Sequence, residues 1–165
     1  MRRFGVSLLL SALPLLTACL YGFAGGGLPA HIKTVAILPF DNETSASTLQ
    51  RELYVRMRRD LENRLGLRDA PESRANAIVR GRIVRYEPDI PVGYSADPSR
   101  STSAERKLQI TVDVEIIDQS TGRTLWSQKG MTAEGSYAEG TEVSGQHEAL
   151  DKIVNNVVSG AQSQW

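Results

Sequence analysis

The chain has 165 residues, 19 Lys and Arg against 19 Asp and Glu, two His and one Cys. That length suits one domain, and the level charge leaves no basic surplus of the kind that displaces counterions from nucleic-acid phosphates. A single cysteine excludes an intrachain disulfide framework and any paired-cysteine zinc or redox site.

Eleven of the apolar residues fall within the first eighteen. Arg2 and Arg3 precede an apolar stretch over residues 4–16. It is shorter than the roughly 20 residues of a membrane span and has the layout of a secretory signal. The stretch ends in Leu16-Thr17-Ala18-Cys19, which resembles the bacterial lipobox. That resemblance implies cleavage before Cys19, a diacylglycerol on its thiol and an acyl chain on the new N-terminus. Two acyl chains already anchor a protein stably, so three would hold Cys19 in the membrane. Leu20 follows where enterobacterial inner-membrane lipoproteins carry Asp, which implies sorting to the outer membrane. The expected organisation is a signal peptide over residues 1–18, a lipidated Cys19 with a flexible tether over 19–32, and one domain over 33–165. Without residues 1–18, which hold two of the basic and none of the acidic side chains, 147 residues remain with a net charge of −2.

Residues 21–29 contain four Gly and one Pro and read as the tether. Gly25-Gly26-Gly27 lacks the strand before it and the Gly-Lys-Ser/Thr or GxGxxG pattern that a phosphate loop requires. Residues 33–40 are apolar at nearly every position, as in a strand covered on both faces or central in its sheet. Ser45 or Ser47 is placed to cap a following helix over residues 47–64. There Leu49, Leu53, Met57 and Leu61 recur every four residues while five arginines alternate with acids on the remaining surface. Residues 65–71 end the helix and leave room for a short edge strand, and residues 73–76 read as a turn.

From Ala77 the period becomes two, with Ala77, Val79, Gly81 and Ile83 on one face and Arg80, Arg82, Val84 and Tyr86 on the other. Residues 88–103 form a long loop rich in Pro and Ser, expected to be functional or to order on a partner. Residues 107–118 alternate most cleanly, Leu108, Ile110, Val112, Val114 and Ile116 against Gln109, Thr111, Asp113 and Glu115. Residues 118–123 make a hairpin loop, with Asp118 at its start and Gly122 for a positive φ. The partner strand covers 124–133, with Trp126 capping the core, and a polar, turn-rich stretch follows over 135–145. Leu150, Ile153, Val154, Val157, Val158 and Ala161 then trace the stripe of a second amphipathic helix.

These elements make an α+β fold, a two-layer α/β sandwich with two helices packed on one face of a four- to five-stranded mixed sheet. The other sheet face stays polar, carrying Arg80, Arg82, Gln109, Thr111, Asp113, Glu115 and Gln128. On it Asp113 and Glu115 read as partners of Arg80 and Arg82 in a cross-strand ion-pair ladder. His31 and His147 lie far apart and outside any metal-ligand spacing, so both read as surface or turn histidines. No GxSxG elbow occurs, and no serine or carboxylate pair falls at catalytic spacing. The chain reads as non-enzymatic, with neither cofactor nor metal.

Three blocks, "CLYGF", "GGLPAHIKTVAI" with "FDN", and "AIVRGRI" with "GRTLW", resemble the LptE family of lipopolysaccharide-assembly lipoproteins across essentially the whole chain after Cys19. The resemblance implies two helices on a small mixed sheet and a role beside or inside the outer-membrane β-barrel LptD. It also implies help in barrel assembly and in delivering lipopolysaccharide or a related glycolipid to the outer leaflet. The family's basic ligand-contact loop before the last helix has no counterpart here, because residues 137–142 contain no basic side chain. On surface geometry alone Arg80, Arg82, Arg106 and Lys107 are the candidate ligand or partner contacts, as cations able to meet lipid phosphates. The octamer "VAILPFDN" also resembles the first strand of periplasmic adaptor or secretion lipoproteins of the CsgG, LpoB or TolB-amino-domain type, which is the alternative reading.

Overall fold

A computed structural model describes residues 28–90 and 106–163. Cys19, the signal over residues 1–18, the tether as far as residue 27 and the loop residues 91–103 lie outside the described residues.

In chain order the elements are β1 (Thr34–Ile37), β2 (Asp41–Asn42), α1 (Thr48–Leu65), β3 (Arg68–Asp69), a 3-10 turn (Glu72–Arg74), β4 (Ala77–Ile90), β5 (Arg106–Asp118), β6 (Thr124–Tyr137) and α2 (Glu142–Ser163). The sheet runs β3-β1-β4-β5-β6, with β2 also paired to β4. Pairing is parallel among β1, β2, β3 and β4 and antiparallel from β4 through β6. Both helices cover one face, so the mixed α/β sandwich stands, with six strands in place of four or five. The strand beyond expectation is β2, a two-residue pairing too short to leave any periodicity in a sequence, while β3 falls where a short edge strand is expected.

β1 is covered on both faces as its unbroken apolar run requires. Val35 and Ile37 enter the main core, while Ala36 is buried outside that cluster, where the 3-10 turn crosses β1 on its way to β4. In α1 Leu49, Leu53, Met57 and Leu61 are fully buried. They meet the α2 stripe from Ala149 to Ala161, and each such Leu or Ile contributes about 1.5–3 kcal/mol by leaving water. The start of α1 departs from expectation: Ser47 makes no side-chain cap bond. Asn42 and Thr44 shape the entry instead. The Asn42 carboxamide oxygen accepts from the Thr44 N–H and hydroxyl at 3.0 and 2.8 Å, and its amide donates to the Ala46 carbonyl at 3.0 Å.

β6 continues to Tyr137 where a turn-rich stretch is the sequence expectation, and α2 begins already at Glu142. Gly135 makes this possible. A Cβ there would stand 1.9 Å from the Gly145 carbonyl oxygen, so the first turns of α2 lie directly on a strand that offers no side chain. Tyr86 also departs from the simple alternation. The pairing of β4 with β5 slips between Ile83 and Arg85, and the extra residue returns Tyr86 to the helix side opposite Ile110. There its hydroxyl meets Glu142 and accepts from Gln146 at 2.7 Å. Burial and the Glu142 carboxylate push the Tyr86 hydroxyl pKa well up.

Candidate functional site

The face turned away from the helices holds an open groove of about 750 Å³ across β4, β5 and β6, rimmed by Leu38 and Pro39. Its floor is the expected ion-pair ladder. Arg80 lies opposite Glu115 and Arg82 opposite Asp113 in the β4/β5 register. Arg80 donates through Nε and Nη2 to Glu115 Oε2 at 3.1 and 3.0 Å. Arg82 donates through Nε to Asp113 Oδ2 at 2.9 Å and through Nη1 to Glu43 Oε1 at 3.3 Å.

The second oxygen of each carboxylate reaches β6. Glu115 Oε1 accepts from the Thr124 hydroxyl at 2.7 Å, and Asp113 Oδ1 accepts from the Gly130 N–H at 2.7 Å. Each acid therefore ties three strands, and its pKa falls accordingly. Asp113 is lowered chiefly by the Gly130 N–H and then by Arg82, Glu115 by the Thr124 hydroxyl and then by Arg80.

The Gly130 donor exists because β6 bulges there. Val112 pairs with Met131 and Val114 with Gln128, so Lys129 and Gly130 together oppose Asp113, and Gly130 takes a φ of 63°. The bulge corrects one assignment. Gln128 falls opposite the core residue Val114, and Lys129 takes the place on the polar face. Lys129 lines the groove, makes no ion pair with any described residue, and its charge helps lower both Asp113 and Glu115. The signal for it in the sequence is the Lys-Gly pair in mid-strand, where an isolated glycine marks a bulge.

The four candidate cations do not form one patch. Arg80 and Arg82 share the groove, whereas Lys107 lies six residues from Asp113 along β5, about 20 Å away in an extended strand. Lys107 shares the polar face and reaches Glu134 at 3.5 Å. Arg106 has the opposite parity, opposite the buried Tyr137, and pairs with Asp89 at 3.1 Å and Glu139 at 3.5 Å.

The buried carboxylate Asp118, 3% exposed, organises the hairpin at the other end of β5. It accepts from the Ser120 N–H and hydroxyl, the Thr121 hydroxyl and His31 Nε2 at 2.7–3.0 Å, and these bonds, Ser120 first, hold its pKa far below the usual carboxylate range. His31 is thus a turn histidine bonded to a structural acid, and His147 lies 3.3 Å from Glu52 between the helices. Among the described residues no cluster of three His, Cys, Asp or Glu is placed to hold a metal, and no helix is long and apolar enough to cross a membrane. The groove lining has one hydroxyl, Ser127, and no histidine. Charge-paired and open, it is arranged to contact a polar surface.

A family model described as LptE, lipopolysaccharide-assembly, matches residues 32–159, from the entry of β1 to the last turns of α2. No curated protein matches the chain in sequence. Among solved structures the fold is similar to the PelC dodecamer subunit from Paraburkholderia phytofirmans, at 20% identity and TM-score 0.53 over 84% of this chain and 94% of that one. It is also similar to a Xanthomonas campestris protein, at 11% identity and TM-score 0.55 over 82% and 89% of the two chains. A Caulobacter crescentus lipoprotein aligns at 10% identity and TM-score 0.50 over 78% and 87%. At these identities the likenesses are of fold.

Proposed function

The chain belongs to the LptE lipopolysaccharide-assembly family, and from that premise we propose that it is a non-enzymatic outer-membrane lipoprotein. In this reading Cys19 carries the lipid on the periplasmic side, residues 19–32 are the tether, and residues 33–165 partner an LptD-type β-barrel in moving lipopolysaccharide to the outer leaflet. The family match over nearly the whole domain carries it. The open polar face supports it, because the sheet presents a pre-ordered array of charges that no element among the described residues covers. Arg80 and Arg82 are the partner-facing cations of the groove, joined by Lys129. Arg106 and Lys107 are candidates for glycolipid contact at the far end of β5, one on each side of the sheet.

Co-purification under mild detergent tests the reading. A large β-barrel is expected to accompany the wild-type chain, and Arg80→Glu with Arg82→Glu is expected to release it and reduce surface lipopolysaccharide while the fold persists. Normal barrel assembly and normal surface display after depletion of the protein would sink the idea. Capture of a different envelope complex without any barrel would favour the adaptor-type alternative.

A further inference from the structure

β1 and β4 are parallel, so both begin at one pole of the sheet, where β5 ends and β6 starts. The tether enters the fold at this pole. Asn76 binds its loops together: its Oδ1 accepts from the Lys33 and Thr34 N–H groups at 3.0 and 3.1 Å, and its carbonyl accepts from the Gln119 N–H at 2.8 Å. The Arg68 N–H donates to the Lys33 carbonyl at 3.0 Å and Arg68 pairs with Thr34, which brings both residues to the start of the β1/β3 pair. Across the hairpin Arg123 is held through its carbonyl, which accepts from the Asp118 N–H at 2.9 Å.

Lys33, Arg68 and Arg123 are exposed, and none makes an ion pair with any described residue. On the open face, by contrast, Arg80 and Arg82 are both paired. The acids at this pole do not neutralise the three cations. Asp118 is buried and committed to Ser120, Thr121 and His31, and Asp69 sits 3.9 Å from Arg58. Glu72, on the 3-10 turn, is followed closely by Arg74. Among the described residues the opposite pole carries Glu87, Asp89, Glu134, Glu139 and Glu142 against Arg85, Arg106 and Lys107. The domain is therefore bipolar, with its positive end at the tether.

We propose that this positive pole docks on anionic phospholipid headgroups of the membrane that holds the anchor. The proposal rests on the reading of Cys19 as the lipidated residue. Leu28 follows Cys19 by nine positions, with eight residues between them, and nine such steps span at most about 30 Å when fully extended. The tether thus keeps the pole at high effective concentration beside the bilayer. An anionic surface attracts nearby cations over about one Debye length and shifts the docked population about fivefold for each Lys or Arg. Docking by this end turns the acidic pole away from the bilayer and fixes the orientation of the open sheet face, leaving the groove accessible from the side.

The test uses the lipidated chain in vesicles of phosphatidylethanolamine with or without phosphatidylglycerol. With Cys19 acylated, a thiol reporter at Gln119→Cys (tether pole) or Ala138→Cys (opposite pole) is the single labelling site. Headgroup-spin-labelled lipid is expected to quench the Gln119 reporter severalfold more than the Ala138 reporter in anionic vesicles. The difference should collapse without phosphatidylglycerol, in about 0.5 M salt, and in the Lys33→Glu, Arg68→Glu, Arg123→Glu chain. Equal quenching at the two poles in anionic vesicles overturns the proposal, as does a difference that survives both salt and charge reversal. Flotation and the intact mass of the acylated chain are read in parallel. A chain that floats yet quenches equally defeats the docking alone, and one that does not float defeats the anchor reading and the docking with it.

Discussion

The two faces of the sheet come from the same strands and differ in what lies over them. On the helix side Leu108, Ile110, Val112, Val114 and Ile116 are at most 2% exposed and pack on the stripes of α1 and α2. On the other side the intervening residues of β5 hold charges that pair across β4 and β6. Stability thus resides on one face and the capacity for polar contact on the other. The chain can vary the second at little cost to the first.

Substitutions on the covered face should have the largest effects. Ile153→Ala removes a fully buried side chain of α2 and should cost about 3 kcal/mol, from lost burial and the cavity left behind. Urea unfolding measures it, and a cost below that of an exposed substitution would contradict the assignment of the core. Gly135→Ala forces a methyl group into the Gly145 backbone and should cost about 2 kcal/mol through overpacking. The same measurement on Gly140→Ala, whose Cβ would meet nothing within 4 Å, separates crowding from the strain of its positive φ.

Acid should act on the polar face and the hairpin together. Asp113, Glu115 and Asp118 all titrate lower in the folded chain than in the unfolded one. Their stabilisation is therefore fully present above the unfolded carboxylate pKa of about 4 and is lost as pH falls through the lower folded values. The urea midpoint should drop as pH is taken from 5 to 3. Asp118→Asn, less stable at neutral pH, should show a shallower drop, and an equal slope in the two proteins would remove Asp118 from the account.

The smallest effect belongs to the ladder. A double-mutant cycle of Arg80→Ala with Glu115→Ala should give a coupling of no more than about 1 kcal/mol, because the Arg80 side chain is 58% exposed and the pair is screened by water. A much larger coupling would mean that the face supports the fold as well as displaying charge.

Much of this architecture can be read without coordinates. The four-residue spacing of Leu49 to Leu61, the stripe from Leu150 to Ala161 and the alternation of β5 each reflect one element's own geometry and its single buried side. The ladder was legible for the same reason, since Arg80, Arg82, Asp113 and Glu115 fall on matching parities of neighbouring strands. Tyr86, Gln128 and Lys129 were not, because bulges at Val84 and Gly130 shift the parity of everything beyond them. Nor was the scatter of Arg106 and Lys107, since the strand starts at Arg106, one residue before its expected beginning, and the partners Asp89, Glu139 and Glu134 come from other parts of the chain.

By itself the sequence determined the class of fold, the two helical stripes, the polar side of the sheet and the family resemblance, all of which depend on local periodicity or local identity. The tertiary structure alone decided which cations share a site. It also placed Gly135 beneath Gly145 and gathered Lys33, Arg68 and Arg123 at the tether's end of the sheet. The physical reason is that these relations come from strand register and from loops meeting across the chain, and no periodicity within a single element encodes the distance between residues 33 and 123.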